Sequence, residues 1–150
     1  MCLLIQGKRK IAKKDILCYK VLKEHLDING EINCLYSPYF ERYEWVLGRE
    51  AVNEMPKPGE IDDNKITNGY FHSFSSEKDA LDESWWHTPH LAERIGVYKC
   101  VIPKGSIYYC GEHSGGGEGY ASKRLKITEK TAAETELYPV LSGQTEGLSL

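Results

Sequence analysis

The sequence predicts an α+β domain: a split or strongly bent antiparallel β-sheet carrying one main helix. Three observations predict it. Short runs of β-branched, aromatic and aliphatic residues recur along the 150 residues, each bounded by charge or by turn residues. Only the stretch after Ser76 combines a helix start signal with helical apolar spacing. The links between runs are mostly too short for repeated parallel crossovers.

Met1 to Gln6 reads as a short strand and Asp15 to Leu22 as a stronger one. Asp27-Ile28-Asn29-Gly30 supplies a hairpin turn, since Asn-Gly suits tight turns with positive φ. Glu31 to Tyr36 follows as a strand broken at Ser37-Pro38, and Tyr43 to Leu47 alternates apolar and polar residues up to Gly48. Met55 to Asn64 is a polar Pro/Gly loop, too short for a domain linker. Ile66 to Phe74 resumes extended structure. Ser76-x-x-Asp79 then opens a helix over Glu77 to about Trp85, with Ala80, Leu81, Ser84 and Trp85 on one face. Pro89 interrupts any continuation into Leu91 to Ile95. Val97 to Ile102 is a strand, Pro103-Lys104-Gly105 a turn, and Ser106 to Cys110 a returning strand. Gly111 to Gly119 reads as a glycine-rich loop and Tyr120 to Thr128 as the closing strand. Residues 1–128 form a single domain, and 129–150 read as a polar, loosely ordered tail.

Composition narrows the function classes. Apolar residues make up 41% of the chain, enough for a core. A net charge of −3 gives no case for a general nucleic-acid binder, which needs a clustered positive field. The positive charge that exists is concentrated: residues 1–25 carry seven bases and two acids. Lys8 to Lys14 reads as a solvated turn between strands, with a phosphate-facing rim as the sharper alternative. No apolar run is long enough to span a bilayer, and the first residues lack the order of a signal peptide. The five cysteines are odd in number and hold no CxxC pair, so Cys18 and Cys100 read as small buried hydrophobes. The expectation is a small soluble cytoplasmic domain.

Gly69 to Ala80 is the stretch most suggestive of chemistry. Along a strand, Ser73 and Ser75 share one side while His72 and Phe74 share the other. A helix begins immediately after, with free N–H groups suited to an anion. The plain alternative is an ordinary strand-turn-helix capped by a serine. His87-x2-His90 and Cys110-x2-His113 are zinc-ligand types, but the usual paired thiolates are missing, and surface histidines are the plain reading. No metal is expected. Gly115-Gly116-Gly117 would let backbone approach a ligand or swing as a flap, although a long hairpin tip explains them as well. Aromatics gather at Tyr36 to Trp45 and at Trp85-Trp86.

Three segments, in order, resemble the ADP-ribosyltransferase-like superfamily. They are Cys18-Tyr19-Lys20, then Phe71 to Ser75 followed by a helix with Asp79-Ala80, then Val101 to Gly105 with Tyr120 to Ile127. The resemblance implies a split-sheet cleft for a nicotinamide dinucleotide, a first-strand base on a phosphate or ribose, and a serine element under the nicotinamide ribose. Two positions depart from the family. Lys20 stands in place of the usual arginine, losing its bidentate fork. The catalytic glutamate expected on the closing strand is absent, the matching segment being Ser122-Lys123-Arg124. Met1-Cys2-Leu3, the pattern Gly69-x-x-His72-Ser73-Phe74 and Ile102-Pro103-Lys104-Gly105-Ser106 also resemble small proteins of phages and gut bacteria.

The expectation is therefore binding of NAD or another nucleotide without transfer, by Lys20, His72, Ser73, Ser75, Gly115 and Gly116. One alternative is an interaction module of phage or mobile-element origin that blocks a host protein. The other is an active transferase using Glu118.

Overall fold

A computed structural model describes residues 2–38, 43–53, 61–62, 64–66 and 69–131. The expected tail from residue 132 onward, and most of the Met55 to Asn64 loop, lie outside the described residues.

The strands in chain order are β1 Leu3–Ile5, β2 Lys10–Ile11, β3 Ile16–Leu26, β4 Ile32–Tyr36, β5 Glu44–Trp45, β6 Glu50–Val52, β7 Ile61–Asp62, β8 Lys65–Ile66 and β9 Phe71–Phe74. After helix α1, Glu77–Ser84, come β10 Glu93–Ile102, β11 Ile107–His113, β12 Glu118–Ser122 and β13 Arg124–Lys130. Every pairing described is antiparallel.

The fold class predicted above is corrected here. The protein is mostly antiparallel β-sheet, and its helix spans only eight residues, so it is not a balanced α+β domain with a main helix. The physical reason lies in the segments after the helix. The chain leaves α1 at Trp85 and turns through Ala92, whose φ is +61°. Glu93 already pairs with His25, so the residues before Val97 extend a strand rather than prolong the helix. Similarly, β11 runs on through Gly111 to His113, because glycine permits close approach to β1: a Cβ at position 111 would collide with the Leu4 carbonyl.

The sheet runs β6-β13-β10-β3-β9-β12-β11-β1-β8-β7. β3 is its hinge. One edge of β3 pairs continuously with β10, from Ile16↔Ile102 to His25↔Glu93. The other edge is shared: β4 takes Lys23 to Leu26, while β9 touches it through Tyr19↔Phe74 alone. The sheet forks there.

Alternation along β3 sorts its side chains. Tyr19 and Val21 face one way, packing with Phe74, Ile95 and Val97 against Ala80 and Leu81 of α1. Cys18 and Leu22 face the other way, into a core that also holds Leu35, Trp45, Phe71, Tyr98, Cys100, Leu125 and Ile127. That core collects residues from β6 and β13 on one flank, and from β9, β11 and β12 on the other. A smaller cluster, Leu3, Ile66, Tyr70, Tyr109 and Ala121, closes the far wing. No helix among the described residues is long and apolar enough to cross a membrane.

Candidate functional site

Lys20 and Glu24 occupy the inward-facing positions of β3 with Cys18 and Leu22, and both are buried. Their surroundings differ. Glu24 is held by the Tyr98 hydroxyl, the Arg94 Nε and the Lys130 Nζ. Burial opposes its charge, but these donors prevail and hold its carboxyl below the usual range. The reciprocal effect, together with burial, pushes the Tyr98 phenol up. This is a compensated polar cluster that ties β3, β10 and β13 together.

Lys20 has no such compensation. It is 4% exposed, and its Nζ donates to the His72 carbonyl at 2.7 Å and stands 5.5 Å from the Trp45 ring centroid. No carboxylate pairs with it among the described residues. Ser73 follows His72 and springs from the same side as Lys20. Its hydroxyl is fully buried with no hydrogen-bond partner among the described residues. The Trp45 indole N–H and the Ser122 hydroxyl are in the same condition. One face thus gathers an ammonium, an indole N–H and two hydroxyls, while its buried carboxylate, Glu24, is taken up by Tyr98, Arg94 and Lys130. Such groups are costly to bury unless something anionic or hydrogen-bonding completes them.

β12 continues this face. Tyr120 lies opposite Ser73 in the ladder, and the Tyr120 ring meets Tyr108 edge-on at 6.0 Å. The Ser75 N–H and hydroxyl both donate to the Glu118 carbonyl, at 3.0 and 3.2 Å. Ser75 and Glu118 are exposed. Lys20 and Ser73 thus share one buried face, while Ser75 meets the Glu118 backbone at the exposed end of β9 and β12.

His72, Gly115 and Gly116 fall elsewhere. Only the backbone carbonyl of His72 reaches Lys20; its ring packs behind the sheet, 5.9 Å from His113. His113 Nε2 donates to the Ser73 carbonyl at 2.7 Å, passing over Gly119, where a Cβ would collide with both groups. Burial, the largest cause, pushes the His113 pKa down to about 4; the hydrogen bond to Ser73 opposes it, and the Lys20 charge adds to it. Gly115, Gly116 and Gly117 form the β11–β12 hairpin tip over α1. They line a cavity of about 140 Å³ with Asp79, Asp82, Glu83 and Trp86, on the helix side of the sheet.

The histidines and thiols weighed as zinc ligands are dispersed. His87 faces Glu83, His113 holds Ser73, and Cys110 lies 3.6 Å from Lys10 Nζ. No three His, Cys, Asp or Glu side chains among the described residues converge on a metal position. Where the family resemblance would place a glutamate, Ser122 is buried, the Lys123 Nζ donates to the Gly69 carbonyl at 2.6 Å, and Arg124 forks onto Glu50.

Sequence reasoning did not single out Trp45, Tyr120 or Ser122. The available signal was parity. Once Cys18 and Leu22 face a core, Lys20 must too, and whatever faces it across the fork belongs to the site. The chain matches no protein-family description, no curated protein and no solved structure.

Proposed function

We propose that the face of the sheet bearing Lys20 binds an anionic nucleotide, of the class of NAD or ADP-ribose, and that it does so without transferring any group. The observation that carries this reading is Lys20, a buried ammonium on the same face as a buried serine hydroxyl, with no carboxylate pairing with it among the described residues. An unpaired buried charge destabilises a fold, and a ligand phosphate or carboxylate is the partner that would repay it. Trp45 stands 5.5 Å from it, and the partly buried rings of Tyr108 and Tyr120 on the same face suit a base or ribose. The positions where transfer would need an anion, to stabilise oxocarbenium-like charge, hold Ser122, Lys123 and Arg124 instead.

Calorimetric titration of NAD, ADP-ribose and cyclic derivatives into the full chain tests this. Saturable binding in the wild type, lost in Lys20→Met and Ser73→Ala, is the expected result. Wild-type heats indistinguishable from dilution at millimolar ligand would remove the reading.

Two observations keep alternatives open to the same experiment. Glu118 lies beside Ser75. If NAD is consumed and Glu118→Gln stops it, the protein is a transferase rather than a binder. Trp85, Trp86 and Leu91 are 54%, 79% and 99% exposed beyond α1, and they suit capture of a protein partner. Partner capture that survives Lys20→Met but fails in Trp86→Ala would favour an interaction module.

A further inference from the structure

The lysine-rich stretch before β3 is not a free solvated turn. β2 pairs with β11 through Ile11↔Ile107 and Lys10↔Tyr108. The Ala12 N–H donates to the Ser106 carbonyl at 2.9 Å, and the Ala12 carbonyl accepts from Gly105 at 2.7 Å. Ala12 itself is 2% exposed and belongs to the main core. The backbone that bears Lys10, Lys13 and Lys14 is therefore held by these bonds and a buried anchor, and the three exposed lysines line a cavity of about 500 Å³. Ile11, Ile16 and Tyr108 complete its lining.

The charges there are not neutralised. Lys13 and Lys14 have no carboxylate partner among the described residues, and the contact of Lys10 is the Cys110 thiol. Asp15, the adjacent acid, accepts from the Lys104 N–H at 2.9 Å. Three ammonium groups with one nearby carboxylate leave room for a ligand carrying at least two negative charges in a compact group. Condensed phosphate has that chemistry, and lysine serves it as a point charge. The size lies within the usual range for small-molecule sites. Elsewhere the chain is acidic, which disfavours a tracked nucleic-acid backbone.

The cavity borders the same face of β3 that bears Lys20. Ile16, Cys18 and Lys20 share one face of β3, so four residues, or about 13 Å, separate its wall from the buried ammonium. Tyr108 borders the cavity and touches Tyr120, which faces Ser73. We infer that this cavity seats the condensed-phosphate group of a nucleotide whose remainder extends along the face to Lys20 and Ser73. The inference rests on the nucleotide reading above, and the following experiment separates the two.

Inorganic triphosphate, ATP and adenosine are titrated into the full chain at fixed ionic strength. The same titrations are run on Lys13→Gln/Lys14→Gln, its Lys13→Arg/Lys14→Arg counterpart, and Lys20→Met. The inference predicts that triphosphate binds the wild type, and that the glutamine pair weakens it by about tenfold or more, in line with the loss of charge-assisted contacts. The arginine pair restores binding, and Lys20→Met leaves it unchanged. ATP should bind more tightly than triphosphate and lose affinity in both Lys20→Met and the glutamine pair. Triphosphate binding that is absent, or indifferent to the glutamine pair, overturns the inference, and so does ATP no tighter than triphosphate. If ATP depends on Lys20 but not on the lysine pair, the cavity assignment falls and the cleft reading stands. The reverse dependence retains the phosphate seat and removes the cleft. Single-stranded DNA that binds more tightly than ATP, through Lys13 and Lys14, overturns it in favour of a nucleic-acid surface.

Discussion

At the scale of single residues, the protein separates two kinds of buried charge. Glu24 is surrounded by donors, so removing its charge leaves Arg94 and Lys130 facing each other at the edge of the core. Glu24→Gln should destabilise the fold by about 3 kcal/mol, read from urea midpoints. Lys20 has nothing comparable to lose. Lys20→Met should leave the thermal midpoint unchanged or raised, because an unpaired ammonium is replaced by a thioether of similar length. A large drop would mean that Lys20 is a structural residue. His113 supplies the pH dependence. Its folded pKa, at about 4, lies below the ordinary histidine value of 6.5, so the unfolded chain binds the extra proton in that interval. Stability should be fully present above pH 6.5 and fall by up to about 3 kcal/mol as the pH drops toward 4. Urea melts at pH 7 and pH 5 measure the slope, and His113→Asn should flatten it. Gly119 carries a steric requirement: Gly119→Ala forces a methyl into the Ser73 carbonyl and the His113 ring, costing about 3 kcal/mol or more.

At the scale of elements, the helix is small but well started. The Ser76 hydroxyl accepts from the Asp79 N–H at 3.2 Å, so Ser76→Ala should cost about 1 kcal/mol, measured by chemical denaturation. That start was readable because capping is local chemistry, and so was the turn at Asp27 to Gly30, where Gly30 has a φ of +78°. What escaped the sequence was the choice of partners. Tyr120 to Thr128 reads as one closing strand, yet it breaks at Lys123. β12 pairs with β9 and β11, whereas β13 crosses to β10 and β6. Alternation survives such a break, so it cannot reveal it. Glycines misled in the same way. Gly111 and Gly119 look like loop residues, but they are ladder positions where another chain segment or a ring must pass close by. The short strands β2 and β6 hide because two or three residues are too few to show alternation, and their pairing is decided by long-range register rather than by propensity.

At the scale of the whole molecule, the fork at β3 creates the site. The single bridge to β9 leaves the rest of that edge to β4, so that Trp45 stands 5.5 Å from the buried ammonium and Ser73 lies on the same face. The excess of positive charge in residues 1–25 gains a fixed position only at this scale, where β2 pairs with β11 and sets Lys10 opposite Tyr108. That Lys20 and Ser73 share one face follows from the single bridge Tyr19↔Phe74, a choice of partner and register that the order of the segments does not dictate. The separation of the hairpin glycines from that pair was not visible, because only the position of α1 decides on which side of the sheet they fall.

The account stands most directly on whether the face bearing Lys20 holds a nucleotide. Titration of ADP-ribose into the wild type and Lys20→Met, alongside thermal melts of both, settles it in one comparison. The account predicts saturable binding and a ligand-induced rise in midpoint for the wild type, with both lost in a variant that is at least as stable. Equal binding by the two proteins, or no binding by a wild type that Lys20→Met unfolds, would contradict it.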